Sequence, residues 1–456
     1  MEYRMDSIAN REWIAKELNH KDKKQRLQTL DEVHSLISSK EITRKVSEEV
    51  NNHVHTTYSF SPYEPAAAAW AAWNAELGIV GSVDHESVGA AYEMLAATKA
   101  LGMGGTVGFE IRSNLFNSPF GKRTINSPDS LGIAYVCVHG IPANAIDRSD
   151  EFLQPIRKER NLRNRVQLER LNAIIVPMGL AAIDFESDLL PSSHYDEGGS
   201  VTERHILYIL VRRLMESYPK RNELVAFLEN RMQVPVEGKM KTMLLDENNP
   251  HRSYDLLGLL KSHFLPHFYV QPSEHESVDI RQVVDFALSI GAIPAYAYLG
   301  DVGQSVTGDK KAQQFEDEFL DELIAYLVSI GFPAITYMPP RNSAKQMLRL
   351  QRLCHRYDLM EISGVDINSS RQSFRCPELL SHHARHLVDA AWALVAHEQL
   401  STLDKKWGLF AQDNPLVPMN VRQRISQYSD WARQTDPFEP ERILEIAEQK
   451  NARRKS

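Results

Sequence analysis

The strongest constraint on this chain is a recurrence between residues 50 and 375. Short apolar runs alternate with amphipathic helical stretches, and most of the runs end on a side chain able to do chemistry. Seven can be followed: "VNNHV", carrying His53 and leading to His55; "GIVGSV", running into Asp84 and His85; "GTVGF", into Glu110; "GIAYVCV", up to His139; "AIPAYAYL", around Tyr298; "PAITYM"; and "LMEIS", shortly before Asp366. The helical stretches carry start and stop signals. "AAAAWAAWNAEL" follows Pro62 and Pro65 and halts at Gly78, and "AAYEMLAATKALG" halts at Gly102. This alternation predicts βα units forming a parallel sheet or closed barrel. In closed βα barrels the C-terminal strand ends meet on one face, where residues from different strands converge.

The pattern breaks between about residues 145 and 280, a mainly helical stretch with loops such as "PSSHYDEGG", read as an inserted lid or substrate domain. The expected organisation is an N-terminal helical extension (1–48), the first part of the barrel (49–145), the insertion (146–280), the second part of the barrel (281–376) and a C-terminal helical extension (377–456). Three cysteines, Cys137, Cys354 and Cys376, are too sparse and scattered for a disulfide framework or a thiolate zinc site, so a metal is expected to be held by His, Asp and Glu. A net charge of −8 argues against nonspecific coating of nucleic acid. No run is long and apolar enough to span a bilayer, and the charged start lacks a secretory pattern, so a cytoplasmic protein is expected.

With 17 histidines in 456 residues, about 0.6 His-x-His pairs arise by chance, so His53 and His55 alone are a weak motif. Their companions change this. His53, His55, Glu110 and Asp366 would bring two imidazoles and two carboxylates to three strand ends, a set suited to divalent zinc, manganese or iron with a position left for water. Acids in such apolar runs would be costly to bury without a cation. Asp84 reads as an orienting residue, and His85 as either a ligand or a hydrogen-bonding neighbour of one.

"HVHTTYS" at 53, "VDHES" at 83, "GFEIR" at 108 and "SGVDIN" at 363 follow the order of the motifs of the polymerase and histidinol phosphatase superfamily of metal-dependent phosphoesterases, which the chain resembles over most of residues 50–375. The resemblance implies a distorted barrel of seven βα units. "RNLRNRVQLERLNA" at 160 and "GGSVTERHILYIL" at 198 look like the small helical domain of members acting on nucleotides or short oligoribonucleotides. Of the family's ligand positions, only the first metal site is complete. Phe60 stands where the family has an aspartate and Asn368 where it has a histidine, which leaves His85 alone at the third site. At the second site the last histidine position is Tyr298, whose phenol would sit beside the first metal and hydrogen-bond a substrate oxygen. The other histidine position falls on Tyr135 or, with a shift of four residues, on His139. Phe60 and Asn368 are expected within reach of His85.

The insertion supplies candidates for substrate contact. Ser200 and Glu203 fit a capping box that puts Arg204 and His205 in the first turn of a helix, an end that attracts anions. Arg204 reads as a phosphate contact or an ordinary surface residue. Arg157, Lys158, Arg160, Arg163 and Arg165 form a basic helical run that reads as a solvated face or a phosphate contact, with Arg160 and Asn368 the further candidates for substrate binding. His382, His383 and His386 have ligand spacing but no accompanying carboxylate, and read as a solvated face. The expected activity is hydrolysis of a phosphomonoester of a nucleotide, a short oligonucleotide or a similar small metabolite, with at least one divalent Zn, Mn or Fe per chain, His85 and Tyr298 assisting, and no membrane or stable nucleic-acid partner. The alternatives are one-metal chemistry on a non-phosphate substrate, or a silent metal-binding protein. An amidohydrolase barrel also begins with His-x-His but lacks the "DH" and "FEIR" succession.

Overall fold

The computed structural model describes residues 7–127, 129–302 and 314–455; residues 1–6 of the expected N-terminal extension lie outside them. Seven strands, β1 (Val50–Val54), β2 (Ile79–His85), β3 (Gly104–Asn114), β4 (Ile133–His139), β5 (Ile293–Tyr298), β6 (Ala334–Tyr337) and β7 (Met360–Ser363), form one sheet in sequential order. All neighbours are parallel except β4, which runs antiparallel to both β3 and β5. The sheet curls into a nearly closed barrel, and β4 is the correction to an all-parallel expectation. Among the described residues no helix lies between β3 and β4; a parallel return requires a crossover, whereas an antiparallel one does not.

The barrel closes between β1 and the segment after β7, largely through side chains. The Asn51 carboxamide donates to Val365 O (3.0 Å) and accepts from Val365 N (2.9 Å), imitating a strand pair, while its oxygen also accepts from His53 N (3.0 Å). Asn52 Nδ2 donates to Ser363 O (2.9 Å). Backbone bonds then take over, from His55 N to Ile367 O and from Ile367 N to His53 O. Gly364 makes this approach possible. A Cβ there would lie 2.5 Å from His53 Cβ and 2.8 Å from His53 N.

Helices α1 (Ser7–Leu18) and α2 (Lys23–Ser38) pack with α3 (Pro65–Asn74) and α4 (Ala91–Ala100) on one side of the barrel. Pro65 opens α3, and the Asp22 side chain caps α2 by accepting from Lys24 N. The insertion contains α5 (Ile146–Ile175), α6 (Glu203–Ser217), α7 (Arg221–Asn230), α8 (Gly238–Leu245) and α9 (Arg252–His263), with an apolar core of its own. At 30 residues, α5 is a strut about 45 Å long. Helix α10 (Ile280–Ile290) returns the chain to the barrel, followed by α11 (Leu320–Ser329) and α12 (Ala344–Arg356). Finally α13 (Arg385–Leu403), α14 (Val421–Arg433) and α15 (Pro440–Lys455) pack on Ile293, Ala295, Ala334, Met360 and Ile362, covering one end of the barrel. Among the described residues no helix is long and apolar enough to cross a membrane.

Buried charge fastens the insertion to the barrel. Arg112 on β3 and Arg160 and Arg163 on α5 meet Glu86, Glu203 and Glu276. Arg163 reaches Glu203 (2.6 Å) and Glu276 (2.5 Å), Arg112 reaches Glu276 (2.9 Å) and Glu203 (3.3 Å), and Arg160 pairs with Glu86. Burial alone would raise Glu203, but the three guanidiniums hold its carboxyl well below the usual range.

Two substitutions test these fastenings. Gly364→Ala is expected to cost about 1–3 kcal/mol through overpacking against His53, read as a lower denaturation midpoint; an unchanged midpoint would mean the seam has slack. Glu276→Gln, which leaves buried Arg112 and Arg163 undercompensated, is expected to cost about 3–5 kcal/mol in the same measurement.

Candidate metal centre

Five strands and the segment after β7 deliver the site. Strand alternation turns Val83 and His85 of β2, Glu110 and Arg112 of β3, Tyr135 and Cys137 of β4 and Ala297 of β5 to the inside of the barrel, and the seam sets His53 and His55 beside Asp366. The donor atoms of His53, His55 and Asp366 lie within 4.8 Å of one another, as do those of His55, His85 and Glu110. His55 Nε2 is 3.3 Å from Asp366 Oδ1 and 3.8 Å from Glu110 Oε2. His53 Nε2 is also 3.8 Å from Glu110 Oε2, and His85 Nδ1 is 3.1 Å from it. Ligands with bonds of 2.0–2.1 Å around a tetrahedral zinc stand about 3.3 Å apart, so these spacings are close to those a cation would set.

The electrostatics fit a cation too. Burial raises the Glu110 carboxyl to about 7 and, with His55 beside it, lowers the His53 imidazole to about 4. Burial would likewise lower His55, but Asp366 and Glu110 carry it above its ordinary value, a pull that a divalent ion would answer. His55 Nε2 and His85 Nδ1 are buried without a well-aligned hydrogen bond, as open ligand positions should be. The centre opens toward solvent at Asp366 and His85, whose side chains are 34 % and 20 % exposed.

A relay fixes which nitrogen of His55 faces the centre. Asp84 accepts from Thr56 N (2.7 Å), Thr56 Oγ1 (2.6 Å) and Ser59 Oγ (2.6 Å). The single Ser59 hydroxyl proton is thus committed to Asp84, so at 3.3 Å from His55 Nδ1 the hydroxyl serves as acceptor. His55 Nδ1 carries its proton, and Nε2 presents a lone pair to the centre.

Other sequence-derived candidates fall as follows. Asn368 lies beside the centre, donating to Asp366 Oδ1 (2.6 Å) and accepting from Arg204 Nη1 (2.7 Å). Arg204 therefore stands at the rim. Arg160 is not free for a substrate phosphate, because it is buried and bound to Glu86 and Glu203. Arg157 and Arg163 are similarly committed within the protein. His205 is buried and closes the cap of α6, where Thr202 N donates to His205 Nδ1 (3.0 Å); Thr202 replaces the expected Ser200 as the capping residue. Tyr298 does not reach the centre. It belongs to the outer face of β5 with Tyr296, packs in the core outside the barrel and donates to Asp317 Oδ1 (2.6 Å), because the inward residue is Ala297. His139 joins none of the donor groups: the reversed direction of β4 carries it to the covered end, opposite Ile293, and brings Tyr135 near His85, with ring centroids 5.8 Å apart.

The Phe60 ring meets His205, Tyr208 and Tyr254 of the insertion, and none of its described contacts is with His85 or Asn368. It is a packing residue there, held at a φ of 126°. His382 and His383 are exposed as expected, while His386 lies 3.3 Å from the buried Glu361.

No protein-family model matches the sequence, and no curated protein matches it. Among solved structures, a provisionally assigned metal-dependent phosphoesterase from Bifidobacterium adolescentis is similar at 17 % identity and a TM-score of 0.48, over 74 % of this chain and 93 % of that one. An amidohydrolase from Chromobacterium violaceum, solved with bound sulfate and no metal, is similar at 16 % identity and a TM-score of 0.45, over 72 % of this chain and 89 % of that one.

Asp366→Asn replaces an anionic ligand by a neutral amide that also disturbs the bond to Asn368. Elemental analysis of the purified variant is expected to find its bound Zn, Mn or Fe sharply reduced; metal content equal to the parent would remove Asp366 from the centre.

Proposed function

We propose that this protein is a metal-dependent phosphoesterase acting on a small phosphomonoester, such as a nucleotide or a short oligonucleotide end. The observation carrying the proposal is a pair of donor groups at an open barrel mouth, His53, His55 and Asp366 in one and His55, His85 and Glu110 in the other, joined through His55 and with a guanidinium on the rim. A divalent ion held there would supply Lewis acidity and a water of lowered pKa. The chain supplies the rest. The Asp84–Ser59–His55 relay keeps His55 Nε2 directed at the centre. Asn368 fixes Asp366, and Arg204, now held by Asn368 alone among its described hydrogen bonds, is placed to turn toward an incoming phosphate. His85, partly open to solvent and in contact with Glu110, is positioned to move a proton to or from the leaving oxygen.

The neutral Arg112–Arg160–Arg163 network favours a second reading. With those charges spent internally, the mouth is less cationic than a multiply charged phosphate would select, and a less charged substrate, such as an amide or sugar, is the alternative. A panel of phosphomonoesters and amides offered to the zinc-, manganese- or iron-loaded protein separates the two: turnover of phosphomonoesters supports the proposal, and amide turnover supports the alternative. Metal without any turnover would make the chain a silent binder. Arg204→Ala is expected to raise KM for a phosphomonoester about tenfold or more, from the loss of a charge-assisted contact, with a smaller effect on kcat. Unchanged kinetics would return Arg204 to a surface role.

A further inference from the structure

Beneath the centre, on its covered side, lies a second group of donors. Cys137 Sγ is 3.9 Å from His53 Nδ1 and 3.9 Å from Glu110 Oε1, and all three residues are buried. The sulfur thus faces the other nitrogen of His53 and the other oxygen of Glu110, since His53 Nε2 and Glu110 Oε2 lie 3.8 Å from each other and Oε2 lies 3.8 Å from His55 Nε2. Around a tetrahedral zinc, a sulfur bound at 2.3 Å and a nitrogen or oxygen at 2.0–2.1 Å stand about 3.6 Å apart, so the three atoms already have roughly the spacing of ligands. Both contacts of the sulfur are long, and the one to Glu110 is a weak S–H donation. Two positions further along the same inward face of β4, His139 Nε2 is buried with no hydrogen-bond partner, and burial, with His53 nearby, lowers its imidazole. An apolar floor would have satisfied the packing. Instead the floor offers a thiol and one imidazole nitrogen without a hydrogen-bond partner.

We propose that Cys137 is a metal ligand, forming with His53 Nδ1 and Glu110 Oε1 a lower position for a thiophilic divalent cation under the His55 and Asp366 position. The inference rests on the centre being a metal site and goes beyond it by assigning a sulfur ligand and therefore a preference for zinc-like ions over magnesium-like ones. On binding, the S–H bond breaks, its proton passes to water and the sulfur–metal bond forms; with the upper position also filled through Nε2, the His53 ring bridges the two as an imidazolate and its N–H proton passes to water as well. Without a cation, burial and the neighbouring Glu110 and Asp366 keep the thiol protonated.

Cobalt(II) titrated into the full chain tests this, because a thiolate bound to cobalt(II) gives a near-ultraviolet charge-transfer band that nitrogen and oxygen ligands do not. The parent is expected to show the band, and Cys137→Ser to lose it entirely while retaining at least one cobalt(II) per chain and the parental circular dichroism. Cys354→Ser and Cys376→Ser are expected to keep it. Cobalt bound by the parent without the band, or a band that survives in Cys137→Ser, overturns the sulfur ligand and leaves the upper centre standing. A parent that binds no cobalt overturns both. Should Cys137→Ser fold poorly, Cys137→Ala read by the same band decides in its place.

Discussion

The structure depends on the seam at which a seven-stranded sheet closes on itself. Strand β1 and the segment after β7 do not share a regular ladder; the carboxamides of Asn51 and Asn52 bridge them, and Gly364 lets the backbones approach. A side-chain amide reproduces the donor and acceptor of a peptide but adds reach, so it can join segments that diverge too much for strand pairing. The divergence matters because it leaves room for ligands from both sides of the seam. His53 and His55 come from one edge and Asp366 from the other, and their meeting is a direct result of the closure.

The barrel mouth holds two clusters of buried charge, resolved in opposite ways. Arg112, Arg160, Arg163, Glu86, Glu203 and Glu276 balance one another and use most of their hydrogen-bonding capacity internally, which suits a fastening between two bodies. His53, His55, His85, Glu110 and Asp366 do not balance. Burial holds the His53 and His85 imidazoles below their ordinary pKa while they stand among carboxylates, and two ring nitrogens, on His55 and His85, are left without aligned partners. The first cluster is complete as protein alone. The second has the donor excess that a cation would complete.

Much of this was legible in the sequence. The alternation of short apolar runs with capped helices carried the barrel, and the order of His53, His55, Glu110 and Asp366 along it carried the candidate centre. What was missed has specific causes. An apolar run does not carry a direction, so β4 was read as parallel, although the missing helix between residues 114 and 133 was the available sign. Tyr298 was displaced by one residue of strand register, enough to send its side chain to the opposite face. Arg160 reads in the sequence as a solvated charge or a substrate-phosphate contact because its partners Glu86, Glu203 and Glu276 are remote along the chain. Cys137 was judged by its distance along the chain from other cysteines, when its alternation with Tyr135 on β4 was the informative relation.

The reversed strand has a further consequence for how this chain can vary. His139, where β4 ends, is the ladder partner of Ile293, where β5 begins. About a third of the sequence therefore departs from and returns to a single point of the sheet, as the loop of a β-hairpin does. To the barrel, the whole helical insertion is topologically one turn. Its length and content can change without altering the register of any strand, so selection can reshape what covers the mouth while the ligands beneath stay where the seam put them.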